Sequence, residues 1–265
     1  MTTLMHGRSY IEKQFNETLQ NGNKLFIPYI MAGDGGLENL IPTLQFLEKS
    51  GVSAIELGIP FTDPVADGPT IQEAGLRALN QGVNLRSIIN LLIAERYKVN
   101  VPIIFMTYMN PIYKYGIQQF VQDAKEAGID GLIIPDLPLE QKKLISDELD
   151  QVGIALVQLV SLTSSEERMK EIAEQSQGFL YAVTVNGITG TRDSFEEKLD
   201  QHLQKLKQFS PVPVLAGFGI STPEHVHDMS NKCDGVIVGS KIIQLLQNKD
   251  FVAIEQLVKA QEMIN

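Results

Sequence analysis

Ala127-Gly128-Ile129-Asp130-Gly131-Leu132-Ile133-Ile134 reads as a helix end, a joint and a strand within eight residues. A glycine after a helical segment supplies the left-handed residue that ends it. The apolar run 131–134 lacks the period-2 alternation of a half-exposed strand, which suits a parallel strand buried on both faces. The same joint recurs at Ser50-Gly51-Val52 and at Gln151-Val152-Gly153-Ile154. Working outward, similar apolar runs stand at 25–30, 53–57, 101–106, 154–160, 178–183, 212–216 and 235–238. Between them lie helical spacings, such as Leu37, Leu40, Ile41, Leu44, Leu47 and Leu199, Leu203, Leu206, with the latter helix ending near Phe209. Eight strands alternating with helices predict a (β/α)8 TIM barrel, one domain over 1–265. An extra N-terminal helix before Leu25 is expected to cover the barrel bottom, with insertions after strand 2 (to about Tyr97) and strand 6 (186–194). A doubly wound sheet, the alternative, would place G-x-G-x-x-G after the first strand. Met31-Ala32-Gly33-Asp34-Gly35-Gly36 stands there instead.

The composition narrows the function classes. With 22 Lys+Arg against 32 Asp+Glu the net charge is −10, which argues against binding a phosphate backbone or any nucleic acid. At 43% hydrophobic and 20% charged residues the chain can fill a full-sized core. Its one cysteine cannot form an internal disulfide, and Cys233, in an apolar run, is expected to be a buried structural thiol. No apolar stretch reaches the ~18 residues of a membrane span, and the N-terminus lacks the apolar core of a signal peptide. A soluble cytoplasmic protein that binds no membrane is the expectation.

In a barrel of this kind the active site uses the loops after the strands. After the sixth, seventh and eighth strands come Gly187-Ile188-Thr189-Gly190, Gly217-Phe218-Gly219 and Gly239-Ser240. Glycines let backbone N–H groups approach an anion, and Ser240 is read as opening the last helix. Together they predict a small substrate bearing a phosphate ester. Glu56 lies within the apolar second strand, where a barrel-facing carboxyl must be paired, neutral or functional. The stiff loop after it carries Asp63 and Asp67, for which turn or N-cap roles are the alternative. A Schiff-base lysine is absent from the central and C-terminal halves of all eight runs. His6, His202, His225 and His227 are scattered, and the last two are spaced i,i+2, which is not a shared helix face, so no metal site is expected. Metal-free acid–base catalysis by carboxylates remains.

The run Glu56-Leu57-Gly58-Ile59-Pro60-Phe61-Thr62-Asp63-Pro64-Val65-Ala66-Asp67-Gly68-Pro69-Thr70-Ile71-Gln72 closely resembles the signature of the tryptophan synthase alpha subunit family. So do Met106-Thr107-Tyr108-Met109-Asn110-Pro111, Pro135-Asp136-Leu137-Pro138-Leu139-Glu140 and Gly217-Phe218-Gly219-Ile220, and the likeness covers essentially the whole chain. The resemblance implies a (β/α)8 lyase that cleaves indole-3-glycerol phosphate to indole and glyceraldehyde 3-phosphate. It implies no cofactor in this chain, and an alpha2beta2 heterotetramer whose beta subunit carries pyridoxal phosphate and receives indole through a tunnel. Carried over by position, Glu56 would be the general acid–base at the ring carbon bearing the glycerol chain, and Asp67 would accept the indole N–H. Tyr181 would stand beside Glu56, and Tyr29, Tyr108 and Phe218 would flank the indole. Thr189, Gly190, Gly219, Gly239 and Ser240 would surround the phosphate, and Asp63, Asn110, Pro135 and Asp136 would face the beta subunit. Two departures stand out: Thr184-Val185-Asn186 precedes Gly187 where many members have Ser-Arg, and Tyr29 stands where Phe is also seen. The competing readings are another phosphate-binding barrel, such as the synthase that forms indole-glycerol phosphate, and a catalytically silent partner of a beta-type subunit. The first would want barrel lysines, and intact Glu56 and Asp67 weigh against the second. The chain also has no tryptophan, as suits an enzyme of tryptophan synthesis translated when that residue is scarce.

Overall fold

Every apolar run becomes a strand of one closed parallel barrel. The computed structural model describes residues 6–161, 163–183, 192–217 and 219–262. The strands are β1 (Leu25–Met31), β2 (Ile55–Gly58), β3 (Ile103–Met106), β4 (Gly131–Ile133), β5 (Ala155–Ser161), β6 (Leu180–Val183), β7 (Val214–Gly217) and β8 (Gly235–Val238). Each pairs with the next, and β8 returns to β1 with Leu25 opposite Gly235. Ladder pairing in the runs at 101–106 and 212–216 begins only after Pro102 and Pro213, which have no N–H to donate.

The helices between them are α1 (Arg8–Gln20), α2 (Leu40–Lys49), α3 (Pro69–Asn80), α4 (Leu85–Glu95), α5 (Met109–Tyr115), α6 (Ile117–Glu126), α7 (Ser146–Val152), α8 (Glu166–Glu174), α9 (Arg192–Phe209), α10 (Pro223–Lys232), α11 (Ser240–Gln247) and α12 (Phe251–Lys259). The insertion expected after strand 2 consists of α3 and α4. Of the insertion expected after strand 6, residues 184–191 lie outside the described residues. Its end is corrected, because α9 starts at Arg192, inside the stretch read as loop. No glycine or proline interrupts 192–209, so nothing in that sequence delays the helix. A second correction concerns Ser240, which opens α11 rather than the last helix. Lys249, at φ 55, breaks the chain direction, and the Asp250 carboxylate then accepts from Ala253 N to start α12. The three joint glycines, Gly51, Gly128 and Gly153, all adopt positive φ, as their reading requires.

Side chains of alternate strand residues fill the barrel. Ile27, Ile104, Ile133, Val157, Leu215 and Ile237 form its interior cluster, and Ile11 and Phe15 of α1 close it from below. A second, larger layer packs helices on the outside of the strands, including Leu40, Ile41, Leu44 and Leu47 of α2. Cys233 is buried in a separate cluster with Leu180, Leu203 and Val214, its thiol donating to Gly235 O at 3.0 Å, and burial pushes its pKa up to about 11.

The bottom of the barrel is held by a polar cluster. Asp130, fully buried before β4, accepts from Gly7 N at 2.6 Å, Ile103 N at 2.8 Å and Arg96 Nη2 at 3.1 Å. The Arg96 guanidinium also donates to Gly128 O at 3.1 Å and Val101 O at 2.9 Å. These bonds tie the α1 entry, the end of α4 and the starts of β3 and β4 to one carboxylate. Removing one member of such a buried pair strands the other. Asp130→Ala is therefore expected to destabilise the chain by about 3–5 kcal/mol, measured as a lower urea midpoint at unchanged slope.

Candidate active site

Glu56 sits at the middle of β2, in register with Tyr29 on β1 and Ile104 on β3. Residues in register on parallel strands share a face, and Ile104 belongs to the interior cluster, so the Glu56 side chain points into the barrel. It is 1% exposed, and its Oε2 has no hydrogen-bond partner. Burial raises its pKa from the ordinary 4.5 to about 8, with the nearby charge of Asp67 adding to the shift. At neutral pH this carboxyl holds its proton.

Asp67 stands two residues before α3, on the loop that follows β2. Gly68 caps that helix, so Asp67 does not. Its backbone carbonyl accepts from Gln72 Nε2 at 2.8 Å, which leaves the carboxyl for other work. The Asp67 Oδ1 is buried without a partner. Burial raises its pKa, and hydrogen bonding from the Tyr108 hydroxyl acts against that rise. The two carboxyls thus differ: burial and a neighbouring charge both raise the pKa of Glu56, whereas at Asp67 the Tyr108 hydroxyl opposes the effect of burial.

Three tyrosines close around them. Tyr29 is buried and Tyr181 partly buried, and the pKa values of both phenols stand well above the ordinary 10, chiefly through desolvation and then through the carboxyls beside them. Each fits because a glycine faces it. A Cβ on Gly58 would collide with the Tyr29 hydroxyl, and one on Gly217 would lie 2.6 Å from that of Tyr181. Tyr108, 3% exposed, packs its ring on Phe61 at 5.3 Å between centroids, and its hydroxyl accepts from Ala66 N at 3.1 Å. Sequence reasoning assigned Tyr108 only to the indole and missed this anchoring of the Asp67 loop, as it missed both glycine notches. The alternation of Glu56 with Gly58 on one strand face was the available signal for the first notch.

The opposite side of the mouth is suited to an anion. Gly239 precedes α11, whose first intrahelical bond is Ile243 N to Gly239 O, so the N–H groups of Ser240, Lys241 and Ile242 need acceptors from outside the helix. Gly219 has φ 64, a conformation glycine adopts without strain, and has open space around it. A Cβ on Gly239 would meet Tyr29 Cβ at 3.6 Å, so the anion end and the acid end share β1. Thr189, Gly190 and Phe218, expected here, lie outside the described residues. Asp63, Asn110 and Asp136 are exposed, and Pro135 is half-buried, all on segments that follow strands β2 to β4. Among the described residues no group of three or more His, Cys, Asp or Glu is placed to hold a metal ion.

A family model described as tryptophan synthase alpha chain matches residues 15–265. The chain belongs to the tryptophan synthase alpha chain family. The curated tryptophan synthase alpha chain of Oceanobacillus iheyensis is 50% identical over 253 residues, covering 96% of this chain and 97% of the relative. That of Bacillus cereus (strain ATCC 10987) is 50% identical over 248 residues, covering 94% and 96%. A crystal structure of tryptophan synthase subunit alpha from Legionella pneumophila superposes with a TM-score of 0.86 at 34% identity, covering 97% of this chain and 98% of that one. As a family member the chain is a lyase of tryptophan biosynthesis. It cleaves indole-3-glycerol phosphate, releasing indole that passes to the beta subunit.

The raised Glu56 pKa has a consequence for stability. Between about pH 4.5 and 8 the folded chain keeps a proton that the unfolded chain releases, so this group's contribution to stability falls as pH rises. The slope is at most about 1.4 kcal/mol per pH unit. Glu56→Gln removes it, so the stability of the variant relative to the wild type should climb between pH 5 and 8. Urea unfolding of both proteins at several pH values checks this, and a difference independent of pH contradicts it.

Proposed function

We propose that Glu56 is the general acid–base of the cleavage and that Asp67 serves the indole nitrogen. The observation that carries this reading is a pair of carboxyls, each with a buried, unpartnered oxygen, one inside β2 and one on the loop that follows it. Protonated Glu56 delivers its proton to the ring carbon that bears the glycerol chain. The Asp67 carboxylate accepts the ring N–H and balances the positive charge that develops there. The C–C bond then breaks as the glycerol hydroxyl loses its proton, and Glu56 takes that proton back. The cycle leaves both carboxyls as they began: the ring carbon carries the proton that Glu56 gave, and Glu56 carries the proton that the hydroxyl lost. Each acid–base contribution is typically about 10²–10⁴ in rate.

The far end of the substrate is held by its phosphate. Gly219, Gly239, Ser240 and the first turn of α11 present N–H groups to it, and Thr189 and Gly190 join them in this reading. Tyr29, Tyr108, Tyr181 and Phe218 enclose the indole. Fixing the phosphate orients the reacting end against Glu56. We take residues 1–265 as one catalytic domain working in the cytoplasm. Its partner is a beta subunit in an alpha2beta2 complex, with Asp63, Asn110, Pro135 and Asp136 facing it. The exposure of three of those residues around the mouth supports that placement. The acid–base work is done by this chain's own side chains, with pyridoxal phosphate assigned to the beta subunit.

Glu56→Gln and Asp67→Asn should each lower indole release by roughly 10² or more, while phosphate-ester binding persists. Near-wild-type turnover in either variant sinks that role. Assays with and without the beta subunit separate a working lyase from a silent partner, which would release no indole in either.

A further inference from the structure

Asp136 lies on the loop after β4, yet its side chain serves the segment after β3. Its Oδ1 accepts from Met109 N at 2.9 Å. Met109 is the first residue of α5, and Tyr108 before it is the N-cap, with an extended backbone and no side-chain bond to the helix. The first helical N–H lacks an intrahelical acceptor, and an N-cap side chain reaches the second or third N–H rather than the first, so this one must find its acceptor elsewhere. Tyr108 cannot serve it, because its hydroxyl is engaged with Ala66 N and its ring with Phe61. Asp136 supplies the missing acceptor from a neighbouring loop and leaves Tyr108 to the loop that carries Asp67.

We propose that Asp136 is a positioning residue for the cleavage: by capping α5 it sets Tyr108, and through Tyr108 it places the Asp67 carboxyl at the mouth of the site. The connection is continuous, running from Asp136 to Met109 N–H, along the backbone to Tyr108, and from the Tyr108 hydroxyl to Ala66 N–H, one residue before Asp67. The hydroxyl is at the far end of a rigid ring, so a small turn of the Tyr108 backbone moves it most. Asp136 itself is exposed and touches no reacting atom in this arrangement, so its effect is on turnover rather than on holding the phosphate. The inference rests on the role given to Asp67.

The test is steady-state indole release by the full-length chain without the beta subunit, so that docking plays no part. Asp136→Ala should lower kcat about fivefold, as loss of one helix cap implies, with KM changed by less than about twofold. Asp136→Asn keeps an acceptor oxygen and should restore most of the loss. In a Tyr108→Phe background Asp136→Ala should cost nothing further, because the hydroxyl through which it acts is gone. An equal loss in both backgrounds, or no loss in either, overturns the proposal, as does an Asn variant as impaired as the Ala variant. If Asp67→Asn alone leaves kcat unchanged, the role of Asp67 fails separately from that of Asp136.

Discussion

Everything else in the site depends on the burial of one carboxyl inside an apolar barrel. Moving an ionised carboxylate out of water carries an effective penalty of several kcal/mol in a real protein. Glu56 avoids it by keeping its proton, which turns a weak acid of the unfolded chain into a proton donor at neutral pH. That state needs a dry chamber. Closure of β8 onto β1 removes the sheet edges, Ile11 and Phe15 shut the floor, and Tyr29 and Tyr181 cover the sides. The phenols in turn require Gly58 and Gly217, where a methyl group would stand in their place. Strand closure, the N-terminal helix and two glycines far apart in sequence thus serve the protonation state of one residue.

The architecture was legible because it is repetitive. The glycine joints at 51, 128 and 153 and the eight apolar runs, most without period-2 alternation, repeat the same local physics, and eight repetitions leave little room for another fold. Glu56 was legible as a charge in an apolar strand, and Asp67 through its motif. What could not be read were interactions that join distant segments. Asp130 in Gly128-Ile129-Asp130-Gly131 looks like an ordinary turn residue, and nothing local says that Arg96 and the N–H of Gly7 converge on it. The split between α11 and α12 was missed for a different reason. Lys249 takes a left-handed conformation without being glycine, so the usual punctuation is absent. The capping of α5 by Asp136 was invisible because the cap and the helix it serves belong to different βα units.

The two ends of the barrel treat a buried carboxylate in opposite ways, and the difference shows how one fold separates stability from chemistry. At the bottom, both oxygens of Asp130 accept, from two backbone N–H groups and a guanidinium, so the charge is compensated and the segments around it are locked. At the top, Glu56 has no cation beside it and one oxygen without a partner, so it remains free to give and take a proton. Orphaned polar atoms alone do not mark a site, since Thr107 and Ser230 also carry them. The distinguishing property of Glu56 is that its missing partner leaves a titratable group at a pKa useful near neutrality, facing the mouth rather than the floor. A saturated bottom is what permits an unsaturated top. Asp130 holds the starts of β3 and β4 in place, and those strands deliver Tyr108 and Asp136 at their far ends. The rigidity secured at one end of a strand fixes the geometry at the other, where the site must leave its polar groups free for the substrate.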